Sequence, residues 1–505
     1  MFKRTLGKKQ ADEPKAHSLK IEELKQQLKK ELQNSSDLEF RELYIKDHAI
    51  LICFMASMTD KNAVDDFILR PIIEKMKDGS DHIDPRAILP ISQISTTNQL
   101  TEISSSLISG SVYIYNEGDS FGVIANTSKT VERSLEKAET ESLVYGPKIS
   151  FTESLAANMN ILRNNIKDSQ LCMDDLVIGT RGKAKAKIIY IKDIANEDNI
   201  NSFKQRISDL EIDHVPDTTV LAQLIEDNSW TVFPQLLTTE LPDRLSIALL
   251  KGRVGVMMDR SPAALYGPST FFSFFESTED VYMRWNMGFF LRVLRFTSIF
   301  LSVLLTPAYV AVLTYHYEVI PSPLLISLGE SRSNVPFPPV FEALLLEFII
   351  ELLREAGARL PTKVGQTMGI VGGIVIGQAA VDAGFTSNIL IIIIALSALG
   401  SFTAPSYMMG TAIRIIRFPI IIMAGLWGGI GIMIAFCYIL IHLLKLSSLG
   451  RPYFAPVYPF RWKDIGYSVV RLPFQFNSKR PETNLATDSI RFSEKKAKEN
   501  KDVDE

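Results

Sequence analysis

Four carboxylates recur at intervals of four or five residues in VFEALLLEFIIELLREAGARL, residues 340–360: Glu342, Glu347, Glu351 and Glu355. On a helix, Glu347, Glu351, Arg354 and Glu355 share one face, and Leu345, Leu346, Ile349, Leu352 and Leu353 share the other. The pattern reads first as an amphipathic helix over 340–356 lying at a membrane–water interface. The alternative is an acidic vestibule or re-entrant element beside a cation pathway, since rings of carboxylates attract cations.

The stretch that follows, TKVGQTMGIVGGIVIGQAAVDAG from Thr362, places Gly365, Gly369, Gly373 and Gly377 four residues apart. Glycine inside a helix costs about 1 kcal/mol against alanine. In lipid that cost has a use. Helices there gain nothing hydrophobic by touching, and small residues let their backbones approach and pack by dispersion. At four-residue spacing the stripe drifts only about 40° per step. Thr367, Val371, Gln378 and Asp382 lie away from it. The spacing predicts a helix with one smooth packing face and one mildly polar face, and taken alone it favours a tightly packed internal helix without a pore. In a channel the polar face would line the pore, with Val371 as an apolar constriction that stops ions by dewetting.

No other chemistry is written in the chain. There is no GxSxG, no Walker A sequence and no GxGxxG after a strand. The six histidines are scattered, as are Cys53, Cys172 and Cys437, with no CxxC or HExxH spacing. The reading is therefore no enzyme, no cofactor, no metal site and no disulfide scaffold, with the soluble part in a reducing compartment. A net charge of −3 over 505 residues gives no reason to expect nucleic acid as a partner. The N-terminus, MFKRTLGKKQ, has no apolar core of the kind a signal peptide needs.

The elements that must hold these residues follow from hydropathy. Residues 1–285 are polar and mixed in charge, 286–446 hold long apolar runs, and 447–505 turn basic and polar again. A bilayer core needs about 20 apolar residues of helix. Four spans are expected, at 289–314, 364–381, 387–404 and 418–444, in a transmembrane domain covering 281–446. Arg284, Arg292 and Arg295 flank the first span, and Lys445, Arg451, Arg461, Lys463 and Arg471 follow the last. Positive residues mark the cytoplasmic side, so the N-terminal region and the cytosolic tail 447–505 fall on the same side and the crossings are even in number. Arg354, Arg359, Lys363, Arg414 and Arg417 fit this scheme poorly, which keeps a re-entrant 340–360 open.

The soluble part reads as a duplication. TTNQLTEISSSLISGSVYIYNEG (96–118) and TTELPDRLSIALLKGRVGVMMDR (238–260) match at a constant offset in Thr96/Thr238, Thr97/Thr239, Ser104/Ser246, Leu107/Leu249, Gly110/Gly252 and Val112/Val254. Each reads as a helix, a glycine cap and a strand. Two similar α/β subdomains are expected at 39–145 and 146–280, after an N-terminal arm over 1–38. Within the arm, Ile21, Leu24, Leu28 and Leu32 form one apolar stripe. Ser150 and Glu153 suggest a capping box at the joint. Lys183, Lys185 and Lys187 alternate, giving a solvated strand face or one that meets anionic lipid.

With GPKISFTESLAANMNILRNNIKD, FPQLLTTELPDRLSIALLKGRV, VPFPPVFEALLLEFIIELLREAGARLP, VGQTMGIVGGIVIGQAAVDAGF and LGRPYFAPVYPF in view, the chain from about residue 39 to 475 resembles the A subunit of GerA-type nutrient germinant receptors of endospore-forming bacteria. A related spore protein encoded with the dipicolinate-release machinery shares these motifs. The resemblance implies residence in the inner membrane of the spore, a transporter-like B subunit that holds the nutrient, a lipoprotein C subunit, and assembly as a homo-oligomer, a pentamer. It also implies passage of monovalent cations on nutrient binding, and no catalytic residues. The alternative is a non-conducting signalling scaffold that links the nutrient-binding subunit to ion and dipicolinate release. A solute transporter would require an inverted repeat that the apolar segments lack.

Overall fold

The computed structural model describes residues 20–45, 48–77, 84–128, 138, 141, 145–360, 372–473 and 476–493. Strands β1 (Leu38–Ile45), β2 (His48–Met55), β3 (Ile94–Thr97), β4 (Ser111–Asn116) and β5 (Gly122–Asn126) form an antiparallel sheet in the order β1-β2-β4-β5-β3. Strands β6 (Leu171–Ile178), β7 (Ala184–Ile191), β8 (Leu237–Thr239), β9 (Val254–Met258) and β10 (Ala264–Gly267) repeat it as β6-β7-β9-β10-β8. The matched residues do the same local work in both. Thr97 Oγ1 accepts from the backbone N–H of Gln99, and Thr239 Oγ1 from that of Leu241, each at 3.1 Å. Helices α2 (Leu100–Ile108) and α4 (Pro242–Leu250) follow, each closed by a glycine at positive φ, Gly110 (92°) and Gly252 (89°). That conformation favours glycine at a helix C-terminus.

Both faces of each sheet are covered, because alternate residues of a strand point to opposite sides. Leu51 and Cys53 pack with α2, while Ile50 and Ile52 pack with Ile68 and Ile72 of the helical stretch 61–77. Helix α1 (Ile21–Glu31) docks its stripe of Ile21, Leu24 and Leu28, with Leu32 just beyond, into the α2 side. The sheets are joined by Arg163 on α3 (Leu155–Asn165), which donates to both carboxylate oxygens of Asp37, at 3.1 and 3.0 Å, and to Ser35. Burial pushes the Asp37 carboxyl up, but the Arg163 charge and its hydrogen bonds win and hold it below the usual range.

Two local expectations are corrected. Ser154, not Ser150, caps α3, because its Oγ accepts from Ala157 N–H. Lys187 is neither solvated nor free for lipid. It pairs with Asp175 at 2.6 Å and donates to Ser36 at 3.0 Å, so this lysine links the arm to the second sheet.

Among the described residues, two helices are long and apolar enough to cross a bilayer by length and composition, α5 (Trp285–Tyr315) and α8 (Tyr407–Lys445). Between them lie α6 (Pro339–Arg359) and α7 (Asn388–Phe402). Helix α7 has 15 residues, about 22 Å at 1.5 Å per residue, short of a bilayer core of about 30 Å. The expected span at 364–381 lies outside the described residues up to 371, and 372–382 is helical.

The expected single span at 418–444 is a hairpin. At Gly428 the backbone leaves the helical region (φ 58°, ψ −136°). A Cβ placed on Gly431 would overlap the carbonyl oxygen of Met423, which a continuous helix would keep about 12 Å away. Ile416, Pro419, Ile420 and Met423 of the first arm line one groove with Ile434, Tyr438 and Ile439 of the second. The freed backbone groups find partners from the end of α5 and the residue after it. Tyr315 donates to the Leu426 carbonyl at 2.7 Å, and His316 Nε2 accepts from Gly429 N–H at 3.1 Å. Satisfied polar backbone is what a bilayer interior demands.

Both ends of the helical region return to the second sheet. Ahead of α5, Asp280 holds Arg292 at 3.0 Å and Arg295 at 3.2 Å. After α8, Ser448 donates to the Gln235 carbonyl at 2.6 Å. Asp227 accepts from Ser447 and, at 2.9 Å each, from the backbone of Leu449 and Gly450. Burial pushes the Asp227 carboxyl up, and these hydrogen bonds together with Arg206 bring it below its ordinary value. The tail continues over this sheet. Thr487 N–H bonds to the Ile194 carbonyl at 2.9 Å, and Arg480 to that of Leu250 at 2.9 Å.

Candidate functional site

The acids of α6 do not lie along a water-facing stripe. Glu342 and Glu347 are 0% and 1% exposed. Helix α6 runs antiparallel to the first arm of α8, so its residues meet that arm in reverse order: Val340 near Gly425, Glu347 on Arg417 and Glu351 on Arg414. Helix α7 runs antiparallel to α5 in the same way. Ser387 meets Tyr309 at 3.0 Å, and Ser397 donates to the Ser302 carbonyl at 2.8 Å. A Cβ on Gly400 would come within 2.5 Å of the Ser298 carbonyl oxygen, so glycine is what allows that approach.

Within this bundle the carboxylates form a ladder. Glu342 accepts from Arg332 at 2.8 Å, from Thr386 at 3.0 Å and from the Ser387 N–H at 2.7 Å. Glu347 accepts from Arg417 at 2.7 Å and from Thr306 at 3.0 Å. Arg417, 2% exposed, also donates to Ser302 at 2.7 Å. Glu351 pairs with Arg354 at 2.9 Å and with Arg414 at 3.4 Å. Arg354 stands over the Phe402 ring, 4.4 Å from its centroid. Glu355 is exposed and, among the described residues, pairs along its own helix with Arg359. The expected acidic face is therefore split. Three of its acids are neutralised by arginines from other helices, Arg332, Arg417 and Arg414, and one faces outward. Charges buried among apolar helices are costly and persist when paired and hydrogen-bonded.

The awkward arginines of the sequence, Arg354, Arg414 and Arg417, are the partners of these acids. Thr306 and Ser302 carried no signal of their own. Arg414 and Arg417 did: three residues apart, they can match Glu347 and Glu351, four apart on an antiparallel helix.

Of the predicted pore and packing residues, Gly365, Thr367, Gly369 and Val371 lie outside the described residues. Gln378 and Asp382 are exposed, and Gln378 donates to Asp382 at 2.9 Å. No described atom lies within 4 Å of a Cβ placed on Gly373 or Gly377. Among the described residues this face is open.

Two duplicated α/β sheets, the second joined to both ends of an apolar helical bundle that encloses a ladder of ion pairs, define a membrane-associated protein with a large polar head. The Bacillus/Clostridium GerA spore germination protein family matches residues 26–483, and the chain belongs to that family. It is similar to spore germination protein GerQA of Bacillus cereus, 44% identical over 485 residues and covering 95% of each chain. It is also similar to spore germination protein A1 of Bacillus subtilis, 37% identical over 429 residues and covering 84% of this chain and 87% of the relative. The crystal structure of the N-terminal domain of the A subunit of the Bacillus megaterium spore germinant receptor GerK3 is 26% identical, covers 50% of this chain and 98% of its own, and gives a TM-score of 0.39. The role is that of a spore germination receptor A subunit.

Proposed function

We propose that this A subunit lies in the inner membrane of the spore as a multi-pass protein with its sheets on the cytoplasmic side. Copies of it assemble, as a pentamer, around a pore that passes monovalent cations. A transporter-like partner subunit binds the nutrient and shifts this chain between closed and open states, and a lipoprotein subunit completes the receptor. The return of both ends of the helical region to one sheet supports an even number of crossings.

The observation that carries the channel reading is the open face of 372–382. Helices α5, α6, α7 and α8 pack on one another, whereas Gly373 and Gly377 meet no described neighbour and Val375, Gln378 and Asp382 are exposed. A helix that the described residues of one copy leave uncovered is suited to pack against its equivalents around an axis. Thr367, Val371, Gln378 and Asp382 then line the pore, and Val371 closes it. The test is cation flux from vesicles holding the purified chain, alone and as Val371→Ala. Flux that rises in the variant supports the gate. A verified oligomer that conducts in neither form sinks the channel and leaves the non-conducting scaffold.

A further inference from the structure

Beside the second sheet, just ahead of α5, a small, partly open pocket contains more positive than negative charge. It lies between the C-terminal half of α4, Tyr266 of β10 and the segment 273–281, and its volume is about 40 Å³. Arg244, Lys251 and Arg253 reach its wall, with hydroxyls from Ser273, Ser277 and Thr278. Two of the three cations are accounted for. Arg244 pairs with Glu141, and Lys251 with Glu276 at 3.1 Å. Arg253 is not. It is 7% exposed, its Nε has no hydrogen-bond partner, and among the described residues no carboxylate lies within ion-pair distance of it. Its guanidinium stands over the Tyr266 ring, 5.8 Å from the centroid.

A buried, unpaired guanidinium is costly, and arginine does not lose its proton to escape the cost. Three cations against Glu141 and Glu276 leave one positive charge. The surroundings respond to that excess. Burial alone would push the Glu276 carboxyl up, yet Lys251, Arg292 and Arg253 hold it below its ordinary value. A site for one water needs roughly 10–15 Å³, so the cavity takes about three waters or one small ion with part of its shell. We propose that a small monovalent anion, with the charge and size of chloride, occupies this cavity and pairs with Arg253. The same walls hold the start of the membrane-associated helices. Ser277, Thr278 and Val281 flank Asp280, which fixes Arg292 and Arg295. The anion therefore belongs to the joint between the sheet and α5.

The test uses the full chain in nanodiscs at constant ionic strength, with sodium chloride replaced stepwise by sodium gluconate, whose anion is too large for the space. The thermal midpoint of the wild type should rise with chloride and saturate, and Arg253→Met should lose the whole of that shift. In gluconate the variant should be at least as stable as the wild type, because it removes an unpaired buried charge. Chloride-35 NMR of the wild type provides a reading that does not depend on the variant folding, with excess line broadening expected and relieved by bromide. Formate in place of chloride distinguishes a halide site from one for short carboxylates. No broadening in the wild type overturns the proposal, as does a chloride shift of equal size in Arg253→Met.

Discussion

The rung between Glu347 and Arg417 allows the sharpest test of the ladder. Replacing Arg417 with methionine removes the 2.7 Å bond to Glu347 and the 2.7 Å bond to Ser302. Glu347 is left at 1% exposure with Thr306 as its remaining side-chain donor. Hydrogen bonds to charged groups contribute about 1.5–3 kcal/mol each, so two of them set a loss of roughly 3–6 kcal/mol. The cost of breaking a buried pair from one side, about 3–5 kcal/mol, agrees. Glu347→Leu should cost a comparable amount, since it strands Arg417, whose Nε already lacks a partner. The double variant removes both charges and should recover most of the loss, because an apolar pair of similar volume is often neutral or stabilising. The assay is reversible unfolding of the full chain in bicelles for the wild type, both single variants and the double. A coupling energy of 2 kcal/mol or more is expected, at the upper end of what contacting residues show. Additive losses, with the double variant as unstable as the two singles combined, would refute the ladder.

Three further changes test other parts of the structure. Gly428→Ala forces a side chain into a backbone conformation open almost only to glycine, and should cost about 1–3 kcal/mol in the same unfolding assay. Gly373→Leu should leave the unfolding of a single copy unchanged, because nothing described lies within 4 Å, while abolishing oligomers on native gels. Asp37, held below its ordinary carboxyl range in the folded state, stabilises fully above its unfolded value of about 3.9 and loses that contribution as pH falls through the lower folded value. Thermal midpoints of the wild type should therefore fall more steeply below about pH 4 than those of Asp37→Asn, which should be less stable at neutral pH.

The duplicated sheets were legible because their signals are local. Thr97 and Thr239 bond two residues onward, Gly110 and Gly252 close helices just before a strand, and alternate strand residues face opposite layers. The stripe of α1 was legible for the same reason, although its docking onto α2 was not. What depends on distant partners was hidden. Arg163 sits far along the chain from Asp37, and Arg417 from Glu347, and nothing near either marks its mate. The hairpin was hidden differently. Pro419 was visible, but WGGIG at 427–431 sat in an unbroken apolar run, so hydropathy read straight through it. Three glycines in five residues were the available signal, since that density is a poor choice for a straight helix. The pairing of the acids of 340–356 was hidden for the same reason as Arg163: the sequence shows the charges of that helix without Arg332 or the arginines on the first arm of α8.

The ladder also constrains how such a bundle can move. Each rung holds α6 to another element: Arg332 at one end, then Arg417, then Arg414. Sliding α6 by one helical turn would misalign all three together, and each exposed charge would sit among apolar side chains. The first arm of α8 and α6 therefore move as one body, with α5 and α7 held to them through Thr306, Ser302 and Ser397. The segment from 372 to 382 carries no such tie at Gly373 or Gly377. If one element changes position between closed and open states, it is this one, and the energetic separation is testable. Ladder variants should lower stability by several kcal/mol and leave the ratio of flux in Val371→Ala to flux in wild type unchanged. Glycine-stripe variants should alter flux or assembly at constant single-copy stability. A ladder variant that opened the channel without destabilising the fold would mean that α6 itself is the moving part.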